Sequence, residues 1–153
     1  MAPRGKTNQV VATPPELLAA IERRFGKIDL DLAADAGNAV TPRYLGKGGL
    51  TEDALTTMSW VRFNSGGLAF LNPPFADVEP WLRHVVTAAR DGMRVAVIVQ
   101  AAVCTNWWIR YVGPHAYTFA LTPRPWKREV RDVVLALYET AGYRGHEPWE
   151  WKK

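Results

Sequence analysis

Residues 68–75 read Leu-Ala-Phe-Leu-Asn-Pro-Pro-Phe, a short apolar run that stops on two prolines. Four apolar residues in succession suit a strand buried on both faces. Consecutive prolines cannot continue it, because each fixes φ and lacks a backbone N–H. Gly66-Gly67 just before the run is a turn signal. A strand ending on a stiff, donor-poor corner belongs at the carboxyl rim of a sheet, where open α/β sheets bind their ligands. Taken alone, the corner also reads as a plain turn with Phe75 packed in the core.

The flanking sequence extends the pattern in both directions. Thr13-Pro14-Pro15-Glu16 has the form of a capping box with proline at the first helical position. Leu17, Leu18, Ile21 and Phe25 follow at helical spacing, and Gly26 stops the helix. Ile28, Leu30 and Leu32 alternate with Asp29 and Asp31, the period of a strand. Residues 37–49 are loop-like, and a short helix is expected over Glu52 to Met58. Beyond the corner, Asp77 to Arg90 is helical in pattern and ends at Gly92. Val95 to Val99 is an unbroken apolar strand, Thr105 to Tyr111 a short helix. His115 to Leu121 and Val133 to Tyr138 are strands, with no helix-length connection between them. The alternation predicts a mostly parallel α/β sheet with right-handed crossovers, helices on both faces, and a C-terminal antiparallel edge hairpin. Asp31 to Asp35 and Asn72 to Phe75 then share one rim.

Composition sets the limits. The chain has 153 residues, 48% hydrophobic and 22% charged, which is one globular domain rather than a disordered chain. Residues 1–12 read as a flexible leader and 13–153 as a single domain. No apolar run approaches the ~20 residues of a membrane helix, and residues 1–9 lack the apolar core of a signal peptide. Cys104 is the sole cysteine, so no internal disulfide forms; its place after an apolar run predicts a buried thiol. That usage suits a reducing cytoplasm. His84, His115 and His146 make no zinc spacing with Cys104, so no metal is expected. P-loop, nucleophile-elbow and dinucleotide fingerprints are absent.

A net charge of +4 permits contact with nucleic acid. Arg124, Lys127, Arg128 and Arg131 cluster around Trp126 between the last two strands. They read either as a solvated hairpin loop or as a phosphate clamp with Trp126 or Arg124 probing bases. The Trp149 to Trp151 tail reads as a packing strap.

Asn72-Pro73-Pro74-Phe75 offers a specific chemistry. The Asn72 side-chain oxygen and the Pro73 carbonyl are acceptors on a stiff backbone, beside an aromatic ring. Such a bracket suits a planar group bearing NH2, with Phe75 stacked on it. Drawing the nitrogen lone pair out of conjugation makes the amine nucleophilic, by geometry and electrostatics rather than by a general base.

This tetrapeptide matches the signature of amino-methyltransferases that use S-adenosylmethionine. The chain more widely resembles the phage-type DNA N6-adenine methyltransferase family. The resemblance rests on Thr13-Pro14-Pro15-Glu16, on Asp29 to Ala34 with Asn38-Ala39, on Asp53 followed by Trp60, on Asn72 to Phe75, and on Thr105-Asn106-Trp107-Trp108. It implies an open, Rossmann-like methyltransferase sheet, S-adenosylmethionine as cofactor, and an adenine of DNA swung out of the helix as substrate. Asn72, Pro73, Pro74 and Phe75 would hold the amine. Thr13, Pro14, Asp31, Ala33, Asp35 and Asp53 would line the cofactor pocket, and Arg124, Trp126, Lys127 and Arg128 would meet the nucleic acid. Leu32 to Gly37 replaces the glycine-rich loop common in methyltransferases. With no segment left for target recognition, sequence readout falls to loops or a second subunit, as a homodimer or with an accessory specificity subunit, or is weak. A phage or prophage origin, acting in the cytoplasm of a bacterial host, also follows. Two rivals stand beside this expectation. A protein-glutamine methyltransferase would offer the same planar NH2, and a catalytically silent nucleic-acid-binding module could keep the fold.

Overall fold

The computed structural model describes residues 11–126 and 131–153. Their elements run α1 (Pro15–Phe25), β1 (Ile28–Asp31), a 3-10 turn at Trp60–Phe63, β2 (Leu68–Leu71), α2 (Glu79–Arg90), β3 (Arg94–Gln100), α3 (Asn106–Tyr111), β4 (Tyr117–Thr122), β5 (Val133–Tyr138) and β6 (Gly145–Glu150). The strands form a six-stranded sheet in the order β1-β2-β3-β5-β4-β6. β1, β2 and β3 pair in parallel, as do β4 and β6, while β5 runs antiparallel to both its neighbours.

The expected fold class is what forms. β2 is buried along its whole length, and Val95 to Val99 at the centre of β3 are fully buried, as their unbroken apolar runs require. Leu17, Ala20 and Ile21 of α1 cover one face of the sheet, against Ile28, Leu68, Phe70 and Ile98. Leu82, Val85 and Ala89 of α2, with Trp60 and Val112, cover the other.

Local expectations needed correction in several places. Thr13 does not cap α1: the N-cap is Pro14, with no side-chain cap hydrogen bond. Two prolines at the start remove donors that a cap would otherwise satisfy, and the Thr13 hydroxyl accepts a hydrogen bond from Asn72 instead. No helix forms over 52–58; Asp53 folds a turn by accepting from Leu55 N at 2.9 Å, and the helical turn begins at Trp60. The β4–β5 hairpin lies inside a further strand, β6, which the packing-strap reading of 149–151 did not foresee. Trp151 still straps the core, buried with its Nε1 donating to the Pro123 carbonyl at 2.6 Å. Cys104 is exposed rather than buried, because β3 ends at Gln100 and the chain has already turned toward solvent.

The other sheet edge carries the site. Beyond β1 the chain pairs with 43–45: Asp31 N donates to Arg43 O at 3.0 Å, Leu45 N to Asp31 O at 2.8 Å, and Ala34 N to Leu45 O at 3.0 Å. That loop is fixed from outside by Arg43, whose guanidinium donates to Phe63 O at 2.8 Å and Ser65 Oγ at 3.1 Å.

Candidate active site

A cavity of about 340 Å³ opens at the carboxyl ends of β1 and β2. Its size is within the range of small-molecule sites. Asp31, Ala33 and Ala34 come from the end of β1, Asn72 and Pro74 from the corner after β2, and Asp53 from the loop before Trp60. The rim expected from the sequence therefore brings both loops to one space.

Asp31 is 3% exposed. Burial pushes its carboxyl up to about 6, against the opposing pull of hydrogen bonds from Val40 and Ala33 N–H. Those bonds, 3.1 Å to Oδ2 and 3.1 Å to Oδ1, wrap the segment 33–40 around the carboxylate. Asp35 folds the same segment from within. Its Oδ1 accepts from Gly37 N at 2.7 Å, and its own N–H donates to Asn38 Oδ1 at 2.8 Å. Asp35 does not line the cavity; Asn38 does. Glu52 also reaches the wall and accepts from Gly48 N at 3.2 Å. Asp31, Glu52 and Asp53 thus give an acidic lining to a cavity in a protein of net charge +4. Trp81, packed beside Trp60 at 6.2 Å between ring centroids, adds an aromatic wall. Carboxylates with an aromatic surface suit a cationic ligand with a planar base and sugar hydroxyls. S-adenosylmethionine has that chemistry.

At the corner, Asn72 Nδ2 donates to the Val11 carbonyl at 2.9 Å and to Thr13 Oγ1 at 3.0 Å. A carbonyl can only accept, so the amide's orientation is fixed by chemistry. The nitrogen faces Val11, and Oδ1 is left without a partner among the described residues. The Pro73 carbonyl likewise makes no hydrogen bond among them. Val11 and Ala12 end a segment expected to be loose, yet each accepts a side-chain bond, Ala12 O from Trp126 Nε1 at 3.0 Å.

The remaining expected site residues are dispersed. Thr13 lines the cavity, while Pro14 does not: its carbonyl starts α1, accepting from Leu17 and Leu18 N–H. Phe75 is half-buried and packs against the α1-side core, lining neither this cavity nor its larger neighbour. That larger cavity, about 710 Å³, runs from the β4–β5 turn along the sheet face beside α3, and Arg124, Trp126, Arg131 and Trp108 line it. Arg124 pairs with Asp132 at 3.0 Å. Lys127 and Arg128 lie outside the described residues. Asn38, Gly46, Glu52 and Trp81 were missed by sequence reading. Asn38 stood among the residues of the resemblance without being given to the pocket, and Gly46 left a signal in the glycine cluster 46–49, for which φ 135 and the Ala34 carbonyl lying where a Cβ would sit give the reason.

A model of DNA N-6-adenine-methyltransferase (Dam) matches residues 4–115. The DNA N-6-adenine-methyltransferase of Escherichia phage T1 is 25% identical over 97 residues, which is 63% of this chain and only 38% of that relative's length. Among solved structures, a predicted O-methyltransferase from Agrobacterium tumefaciens is similar at a TM-score of 0.48 and 17% identity, with 87% of this chain and 85% of that one covered. The matched residues include the first helix, the Asp31 loop, the corner after β2 and α3, and the chain belongs to the DNA N-6-adenine-methyltransferase (Dam) family.

Proposed function

We propose that the protein transfers a methyl group from S-adenosylmethionine to the exocyclic N6 amine of adenine in DNA. The observation that carries this reading is the Asn72 amide. Its nitrogen is held by the protein, so its oxygen remains as an acceptor at a residue lining an acidic cavity; the carbonyl of the following Pro73 has no partner among the described residues. Two acceptors on a backbone stiffened by Pro73 and Pro74 would take both protons of one NH2 group and hold the nitrogen pyramidal. When bound, S-adenosylmethionine supplies an electrophilic methyl carbon. Asp31, Asn38 and Asp53 would hold it, with Trp81 and Ala33 as apolar walls. The amine proton leaves to solvent after alkylation, so the proposal needs no buried general base. A base inside a duplex cannot reach Asn72, and extrusion of the adenine is part of the proposal. Arg124 and Trp126, with Lys127 and Arg128, are proposed to meet the flanking strand. Phe75 would have to leave its packed position to stack on the base.

Incubation with unmethylated plasmid DNA and methyl-labelled S-adenosylmethionine, followed by mapping of modified bases, tests the reading. N6-methyladenine is the expected product. Label recovered on protein glutamine would move the substrate to the rival with the same NH2 geometry, and cofactor binding without any transfer would reject catalysis.

A further inference from the structure

We propose that the segment Val11–Thr13 is a positioning clamp for Asn72, closed by Thr13 and latched by Trp126. This rests on the function proposed above and deepens it, since it assigns to Thr13 a role through Asn72 rather than on the cofactor. Three observations carry it. Asn72 Nδ2 has two protons, and the segment supplies one acceptor for each, Val11 O and Thr13 Oγ1. Thr13 is 8% exposed, one of few buried polar side chains among the described residues, and caps no helix. Ala12, between the two acceptors, is held by the Trp126 indole through its carbonyl. The β4–β5 turn and the Asn72 amide are therefore joined by three consecutive residues.

The consequence is chemical. An amide free to rotate about χ2 presents nitrogen or oxygen to the site, and nitrogen would repel an incoming amine. Satisfying both amide protons leaves one orientation. It also polarises the group, so Oδ1 carries more negative charge and accepts more strongly. Neither Thr13 nor Trp126 need touch a substrate to do this.

Thr13→Val keeps the shape and removes the acceptor; Thr13→Ser keeps the acceptor; Trp126→Phe removes the latch. Two readouts are taken on each. The Asn72 side-chain amide pair, identified by its loss in Asn72→Ala, is followed by NMR in the protein without ligand. Methyl-transfer kinetics and S-adenosylmethionine titration are followed in parallel. One lost hydrogen bond predicts a kcat reduced about three- to tenfold in Thr13→Val. Cofactor Kd should stay within about twofold, the amide resonances should shift, and Thr13→Ser should restore both. Trp126→Phe should act in the same direction and more weakly, and serves if Thr13→Val does not fold. An amide pair unmoved in Thr13→Val and Trp126→Phe overturns the clamp, whatever the activity. So does a weakened cofactor Kd with kcat intact, which would return Thr13 to the cofactor wall. If wild-type protein transfers no methyl to DNA, the functional reading fails instead, and the amide readout still decides the clamp.

Discussion

Asp31 is almost wholly removed from solvent, and its oxygens accept from Ala33 and Val40 N–H instead of water. Its carboxyl stands at about 6 when folded against 3.8 as a free side chain, because desolvation outweighs those two bonds. A folded value above the unfolded one means that the folded protein binds more protons between the two. Stability from this group is therefore full below about pH 4 and lost as pH rises to about 6. The gap corresponds to about 3 kcal/mol. Urea melts of wild type and Asp31→Asn between pH 4 and 7 isolate it: the wild type should lose ground to the variant across that window, and parallel curves would show a solvated carboxylate. A cationic ligand beside Asp31 would pull its titration down again, so S-adenosylmethionine should raise Tm more at pH 7.5 than at pH 5. Asn72 gives the complementary case. Asn72→Asp would set a carboxylate oxygen against the Val11 carbonyl, and while the Thr13 hydroxyl can turn to donate, a carbonyl cannot. We expect loss of about 1–3 kcal/mol in chemical denaturation and abolished methyl transfer, with the stability loss easing as the new carboxyl is protonated at low pH.

Elements built on a repeating pattern were legible; those built on single contacts were not. β2, β3 and β5 announce themselves as apolar runs, and α1 and α2 as faces with apolar residues three and four apart. β6 was hidden because Gly-His-Glu-Pro-Trp-Glu carries a glycine and a proline, which a strand admits at a sheet edge such as the one it forms beside β4. The loop 44–54 has no period at all. Its course depends on Gly46 lying against Ala34 and on buried Trp60, whose Nε1 donates to Ala54 O at 2.9 Å. No rule of spacing reveals a bond from residue 60 to residue 54, so Glu52 could not be assigned to the cavity in advance. Both contacts can be broken singly. Gly46→Ala drives a methyl into the Ala34 carbonyl in a backbone region that side chains avoid, so it should lower Tm and weaken cofactor binding together. Trp60→Phe keeps an aromatic core but removes the bond to Ala54 and part of the ring packing against His84 and Trp81. It should cost about 1–2 kcal/mol in denaturant melts, with the change in hydrogen exchange concentrated in residues 51–58.

Across the whole molecule, charge is divided between two places on one rim. The smaller cavity is lined by Asp31, Glu52 and Asp53, whereas Arg131 and Arg124, the latter paired with Asp132, border the larger one at the β4–β5 turn. The segment 11–13 runs between them, bonded to Asn72 on one side and Trp126 on the other. A cationic donor and a polyanionic strand would thus be drawn to adjacent sites without competing for the same groups, and the acceptor amide would stand at their border. The two interactions should answer differently to salt. Exposed charges beyond about 10 Å are screened at 0.1 M, and phosphate contacts release counterions in proportion to their number. Raising NaCl from 50 to 300 mM should therefore weaken DNA binding along a straight line in log Kd against log salt. S-adenosylmethionine affinity, which the proposed function assigns to buried Asp31 and apolar walls, should change less than about threefold. Arg131→Glu, at a residue that lines the larger cavity and not the acidic one, should reduce the DNA slope by about one or more while leaving cofactor titration unchanged. A slope unaffected by that reversal would place the strand elsewhere on the rim; a cofactor affinity falling as steeply as that for DNA would show that the two charges are not separated.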